Sequence, residues 1–146
     1  MLGIGNILLR DEGIGVRVVE AMEGMELPAD CEAVDGGTSG ADLVDVVANR
    51  QKVIVVDAMR ADEPPGTVFR MTLDDLITEA KDSVSIHEFG IVDTFTMAGH
   101  LGLMPQQVVV YGVQPGDISP GLELSAAVSG VIPRLIEEIL KELRRD

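Results

Sequence analysis

Hydrophobic and polar positions along this chain follow two periods, and the switches between them lay out the elements. Met1-Leu2-Gly3-Ile4 is an apolar run that enters a glycine turn, as the end of a buried strand would. Strands usually run about five or six residues, so the start of this one is expected upstream of Met1. From 14 to 23 the period becomes helical, with Ile14, Val18, Val19 and Met22 on one face. Pro28 breaks the connection. Cys31 to Val34 predicts a second strand, and Asp35-Gly36-Gly37-Thr38-Ser39-Gly40 the turn after it. Ala41 to Ala48 is expected to be helical, with Leu43, Val44 and Val47 inward. Lys52 to Val56 reads as the central strand. Val53-Ile54-Val55-Val56 shows no polar alternation, as a strand buried on both faces requires, and Asp57 ends it.

The second half begins with a proline-glycine loop from Asp62 to Gly66. Thr67 to Met71 alternates like a short edge strand. Thr72 is a candidate N-cap, with Asp75 three residues on, for a helix reaching about Ala80. Asp82 to Gly90 is expected to be a polar connection carrying His87. A helix from Ile91 to Leu101 and a β-branched strand from Gln107 to Val113 follow. A long helix from about Glu123 to Arg145 closes the chain, with Pro133 kinking or restarting it.

Alternating strands and helices imply a mostly parallel sheet covered on both faces. The expected fold is therefore α/β: a three-layer α/β/α sandwich on a five-stranded sheet. Thr67 to Met71 leaves a tight loop rather than a helical crossover, which predicts one short antiparallel edge strand. At 146 residues, a single domain over 1–146 is the natural organisation.

Composition narrows the function. Hydrophobic residues make up 46%, so the chain can bury a core. Twenty-five acidic against 11 basic residues give a net charge of -14, which opposes nucleic acid and anionic membranes. One cysteine, Cys31, cannot form an internal disulfide, and a cytoplasmic location is expected. No apolar run approaches the roughly 20 residues of a membrane span.

The candidate chemistry collects where strands end. Gly3-x-Gly5-x-x-Leu8 lacks the third glycine of a dinucleotide loop. Asp11 and Glu12 also stand where a pyrophosphate needs a helix N-terminus clear of negative charge, so no nucleotide is expected. Either acid could be there simply because the helix dipole favours it, worth about 0.3–1 kcal/mol. Asp57 is different, because it ends a wholly apolar strand. His87 and His100 are the two histidines, and either alone would be unremarkable. Glu12, Asp57 and His87, however, all belong to connections expected at one edge of the sheet. Two carboxylates and an imidazole form an open donor set for a borderline divalent metal. Asp35-Gly36-Gly37-Thr38 offers backbone amides to a peptide. Ser39 and Ser85 lack a nucleophile elbow, and Cys31 has no basic neighbour in sequence to activate it.

Together these stretches resemble the hydrogenase maturation proteases. The matching segments are Gly3-x-Gly5-Asn6-x-Leu8 with Asp11-Glu12-Gly13-x-Gly15, Asp35-Gly36-Gly37-Thr38 and Val55-Val56-Asp57-Ala58. His87 before a helix and Gly112-Val113-Gln114-Pro115 complete a set that runs in the family's order along nearly the whole chain. The resemblance implies an endopeptidase that removes the C-terminal extension of a nickel–iron hydrogenase large-subunit precursor once nickel is in place. It maps the family's metal-engaging residues onto Glu12, Asp57 and His87, and its substrate-handling acid onto Asp35. Nickel would then arrive with the substrate rather than reside permanently in the enzyme. The attacking water would be activated by a carboxylate, Asp57 being the first choice, or by the metal, with Glu12 and His87 completing the catalytic set. A metal-sensing chaperone that binds the same partner without cutting it is the alternative.

Overall fold

The computed structural model describes residues 1–38, 41–82 and 86–145, apart from the side chains at 41, 79–82 and 86–89. Five strands form one sheet: β1 (Leu2–Ile4), β2 (Val34–Gly37), β3 (Lys52–Ala58), β4 (Val68–Thr72) and β5 (Gln107–Val113). Their order is β2-β1-β3-β5-β4, parallel throughout except for β4, which runs antiparallel to β5 at the edge. The helices are α1 (Ile14–Ala21), α2 (Val44–Val47), α3 (Leu73–Asp82), α4 (Ile86–His100), α5 (Ala126–Ser129) and α6 (Ile132–Arg144). None of them, over the described residues, is long and apolar enough to cross a membrane.

The period of two along β3 divides the core. Ile54, Val56 and Ala58 face one cluster with Ile14, Val18, Val19 and Met22 of the first helical segment and Leu135 and Ile139 of α6. Val53 and Val55 face the other, with Val44 and Val47 of α2, Leu76 of α3 and Phe95 and Ala98 of α4. Three layers follow directly from a strand that is apolar on both sides.

Close approach of α1 to the sheet depends on glycine. A Cβ at Gly15 would lie 2.1 Å from the Val56 carbonyl oxygen and 2.4 Å from that of Ile4. The helix therefore rests directly on the backbones of β1 and β3.

Several boundaries differ from the sequence expectation. The second strand is Val34–Gly37 rather than Cys31 to Val34, so Asp35, Gly36 and Gly37 are strand residues. Pairing with β1 sets this register, Leu2 opposite Val34 and Gly3 opposite Asp35. Gly36 sits beneath Ile4, whose Cδ1 would be 2.7 Å from any added Cβ. The helix expected over 41–48 is a 3-10 turn, Ala41–Leu43, followed by the single turn of α2. α4 begins at Ile86, which puts the backbone of His87 in a helix instead of the expected connection. The last helix is two helices, with Pro133 in the first turn of α6, where its missing N–H costs nothing. The predicted cap of α3 forms reciprocally: the Thr72 N–H donates to Asp75 Oδ2 at 3.1 Å, and the Asp75 N–H to Thr72 Oγ1 at 3.2 Å.

At the far end of the molecule α6 is tied to the sheet by a buried charge. Arg70 Nε donates to Glu142 Oε1 at 2.6 Å, the Tyr111 hydroxyl donates to the same oxygen at 3.2 Å, and Lys52 Nζ lies 3.9 Å from Oε2. Burial pushes the Glu142 carboxyl up, but hydrogen bonding to and the charge of Arg70 outweigh it and leave it below the usual range.

Replacing Gly15 with alanine is predicted to lower stability by at least about 2 kcal/mol, because backbone oxygens cannot yield as side chains do. Urea unfolding measures it. A loss under about 0.5 kcal/mol would mean that α1 can slide off the sheet without penalty.

Candidate active site

Strand order creates the crevice. From β1 the chain moves outward through α1 to β2, then returns through α2 to β3 on the other side of β1. The connections leaving β1 and β3 therefore diverge at their carboxyl ends, the position where open α/β sheets receive ligands.

The connection leaving β1 is shaped by Gly5. Its φ is +143°, and a Cβ there would lie 2.0 Å from the Glu12 carbonyl oxygen. Only glycine allows the 3-10 turn Arg10–Gly13 to fold back this closely. That turn, rather than α1 itself, carries Asp11 and Glu12. It packs against β3, and Glu12 is left 6% exposed. The exposed Arg60 places Nη2 3.7 Å from Glu12 Oε1.

Asp57 comes from the end of β3, one residue beyond the pairing of Gly3 with Val56. Its carboxylate is 3% exposed, and Oδ1 accepts the Ala58 N–H at 2.8 Å. The topology thus brings Glu12 and Asp57 to the same carboxyl edge of the sheet, on the connection after β1 and near the end of β3, both out of bulk water.

The side chain of His87 lies outside the described residues. Its backbone is in the first turn of α4. The other end of α4 is fixed at the amino-terminal edge, where the Leu103 carbonyl accepts the Asn49 N–H and the Arg50 carbonyl accepts the Gln106 N–H, both at 2.9 Å. Fifteen helical residues span roughly 22 Å, close to the length of seven-residue β3, roughly 23 Å. The first turn of α4 therefore reaches the carboxyl edge of the sheet. His100, at the far end of the same helix, is exposed and distant from the crevice. Among the described residues no three His, Cys, Asp or Glu side chains form a metal cluster.

Asp35 is exposed within β2, opposite Gly3, and its Oδ1 accepts the Gly37 N–H at 2.8 Å. Gly37 takes a φ of +52°, and its carbonyl receives the Gly5 N–H at 2.8 Å, which joins this corner to the glycine loop. Thr38 follows, exposed. β2 is the terminal strand of the sheet, so one of its backbone edges has no neighbouring strand.

Asp11 is the residue whose importance sequence reasoning missed. It is 0% exposed. Oδ2 accepts the N–H of Gly116 at 2.8 Å, that of Asp117 at 2.9 Å and the Ser125 hydroxyl at 2.8 Å; Oδ1 accepts the Ser125 N–H at 2.8 Å. Ser125 in turn caps α5 through Val128. Burial pushes the Asp11 carboxyl up, but its bonds to Asp117, Ser125 and Gly116 outweigh burial and hold it below the usual range. One carboxylate thereby fastens the segment leaving β5 to the turn that presents Glu12.

Sequence and structure comparisons agree on what this crevice belongs to. A family model described as hydrogenase maturation protease matches residues 16–142. The chain belongs to the hydrogenase maturation proteases. Its relatives in this family include the hydrogenase 2 maturation protease of Escherichia coli, 36% identical over 99% of this chain and 89% of that one. Another is a hydrogenase expression/formation protein, HupD, of Rhizobium leguminosarum, 40% identical over 99% of this chain and 73% of that one. The solved structure of the hydrogenase maturating endopeptidase HybD from E. coli superposes with a TM-score of 0.91 at 36% identity, covering 98% of this chain and 90% of that one. This family member is therefore a hydrolase, an endopeptidase that processes the C-terminus of a hydrogenase large-subunit precursor. The expected enzyme class, partner and three-layer fold all hold.

Because Asp11 is held below its ordinary value, its stabilisation is complete above about pH 4. It is lost as pH falls through the lowered value. Asp11→Asn is predicted to cost about 2–3 kcal/mol near neutral pH, by leaving buried N–H donors facing an amide, and to flatten the acid loss. Urea unfolding across this pH range measures both effects. Parent-like stability with an unchanged acid limb would contradict the assignment.

Proposed function

We propose that this endopeptidase reads the nickel content of its precursor through Glu12, Asp57 and His87, and cuts only when the metal is present. The supporting observation is the pair of buried carboxylates, Glu12 and Asp57, delivered by separate elements to one crevice at the sheet's switch point. Two carboxylates held away from bulk water attract a dication strongly, because charges interact more strongly there than in water. The donor set suits a borderline metal: with an imidazole added it supplies three protein groups, which leaves positions for ligands that nickel already holds in its own protein. Nickel is accordingly part of the substrate. The single cysteine accords with a cytoplasmic site of action, where thiols stay reduced.

In this reading the precursor's C-terminal segment is held by Asp35, Gly36, Gly37 and Thr38 of β2 and its exit. It runs from there past the end of β1 to the crevice, where the bond to be cut lies beside Asp57. Asp57 takes a proton from the attacking water. The water oxygen bonds to the scissile carbonyl carbon, the carbon–nitrogen bond breaks, and the departing amine nitrogen receives the proton.

Glu12→Gln and His87→Ala are each predicted to lower processing of the nickel-loaded precursor by more than about a hundredfold while thermal unfolding stays near that of the parent. Intact mass of the precursor reads the first effect, circular dichroism the second. Full cleavage by both variants would rule out the metal-reading role.

A further inference from the structure

Two large apolar side chains stand in water beside the crevice. Leu8 is 60% exposed and Leu122 is 59% exposed. An isolated exposed leucine needs no explanation, but these two are linked. Leu8 lies four residues before Glu12, and Leu122 belongs to the segment that Asp11 fastens to the same turn. Gly121, next to Leu122, donates its N–H to the Leu8 carbonyl at 2.8 Å and accepts the Arg10 N–H at 3.1 Å.

Their backbones are held from every side. The Leu8 N–H donates to Asn6 Oδ1 at 2.9 Å, and Arg17 Nη2 donates to the Leu122 carbonyl at 2.8 Å. Gly121 leaves room for the Arg10 side chain, whose Cζ would lie 2.6 Å from a Cβ at that position. A rigid frame thus keeps two leucines exposed where an ordinary loop could tuck them in.

We propose that Leu8 and Leu122 form a docking rim for an apolar side chain of the precursor's C-terminal segment. This rests on the processing role described above. Continuity with the crevice argues for the substrate as occupant, because the rim and Glu12 share one connection. Charge argues the same way. A net charge of -14 opposes a second copy of this chain and an anionic lipid surface alike. Exposed Asp117 and Glu123 flank the leucines, with Asp117 sharing Arg10 through a 3.8 Å ion pair. With Arg10 and Arg17 balancing Asp117 and Glu123 at close range, the rim suits an apolar residue.

The test is steady-state processing of the nickel-loaded precursor by the full-length parent, Leu8→Ser/Leu122→Ser and Leu8→Met/Leu122→Met. The serine pair is expected to raise KM at least about tenfold, with kcat within about twofold, parent-like thermal unfolding and an unchanged oligomeric state. The methionine pair, which keeps the apolar surface, should restore KM. A KM for the serine pair within twofold of the parent would overturn the rim. So would a loss confined to kcat, or a change of oligomeric state in place of the KM effect. If the parent itself cleaves nothing, the processing role falls and the rim with it.

Discussion

The carboxyl edge of this sheet depends on the carboxylate of Asp11. Backbone bonds from Arg10 and Asp11 to Gly121 and Asp117 already join the segment from Gly116 to Ser125 to the turn carrying Glu12. The Asp11 carboxylate adds four more, at Gly116, Asp117 and Ser125. With it, two stretches more than a hundred residues apart become one wall. The bonds are charge-assisted and buried, a setting in which losing the acceptor leaves several donors stranded at once. Catalytic geometry is demanding at the level of ångströms, and two acids side by side divide the work. Asp11 holds the frame, and Glu12 is the acid proposed to meet the metal.

The rest of the architecture supports that edge from below. β3 is buried on both faces and carries Asp57 as its next-to-last residue, so the acid's position is set by a strand packed against helices in two layers. Gly15 lets α1 sit on the backbones of β1 and β3, which holds the turn before it close to β3. At the opposite end Glu142 gathers Arg70, Tyr111 and Lys52 and anchors α6. The carboxyls of Asp11 and Glu142 are held below their ordinary values by the groups around them, the first by backbone amides and a hydroxyl, the second chiefly by an arginine. The same type of group, stabilised in two ways, closes the two ends of the domain.

Legibility in the sequence followed the range of the forces involved. The buried faces of α1, β3 and β5 were readable because periodicity is local and apolar burial is unambiguous. The cap at Thr72 and Asp75 was readable for the same reason, its partners being three residues apart. β2 was displaced by three residues because its position is set by pairing with β1, which no local pattern encodes. Glycines at 36 and 37, suggestive of a turn, occur in a strand: Ile4 packs where a side chain of residue 36 would be, and residue 37 takes a positive φ. Asking which residues follow a strand pointed to Glu12 and Asp57 at the carboxyl edge, although Asp57 is still within β3. The same question put Asp35 in a turn, whereas it lies within β2. The role of Asp11 could not be found this way. Its partners at 116, 117 and 125 leave no spacing signal, and an acid near a helix start has an adequate local reason to be there. Leu8 and Leu122 were hidden likewise, because exposure is a property of the folded chain.

The central claim is that metal in the substrate, read at the crevice between β1 and β3, licenses the cut. The most direct measurement is the intact mass of a cognate large-subunit precursor after incubation with the enzyme, once nickel-loaded and once nickel-free. The account predicts loss of a C-terminal peptide from the loaded form alone. Equal loss from both forms would contradict it, leaving a protease that does not read the metal.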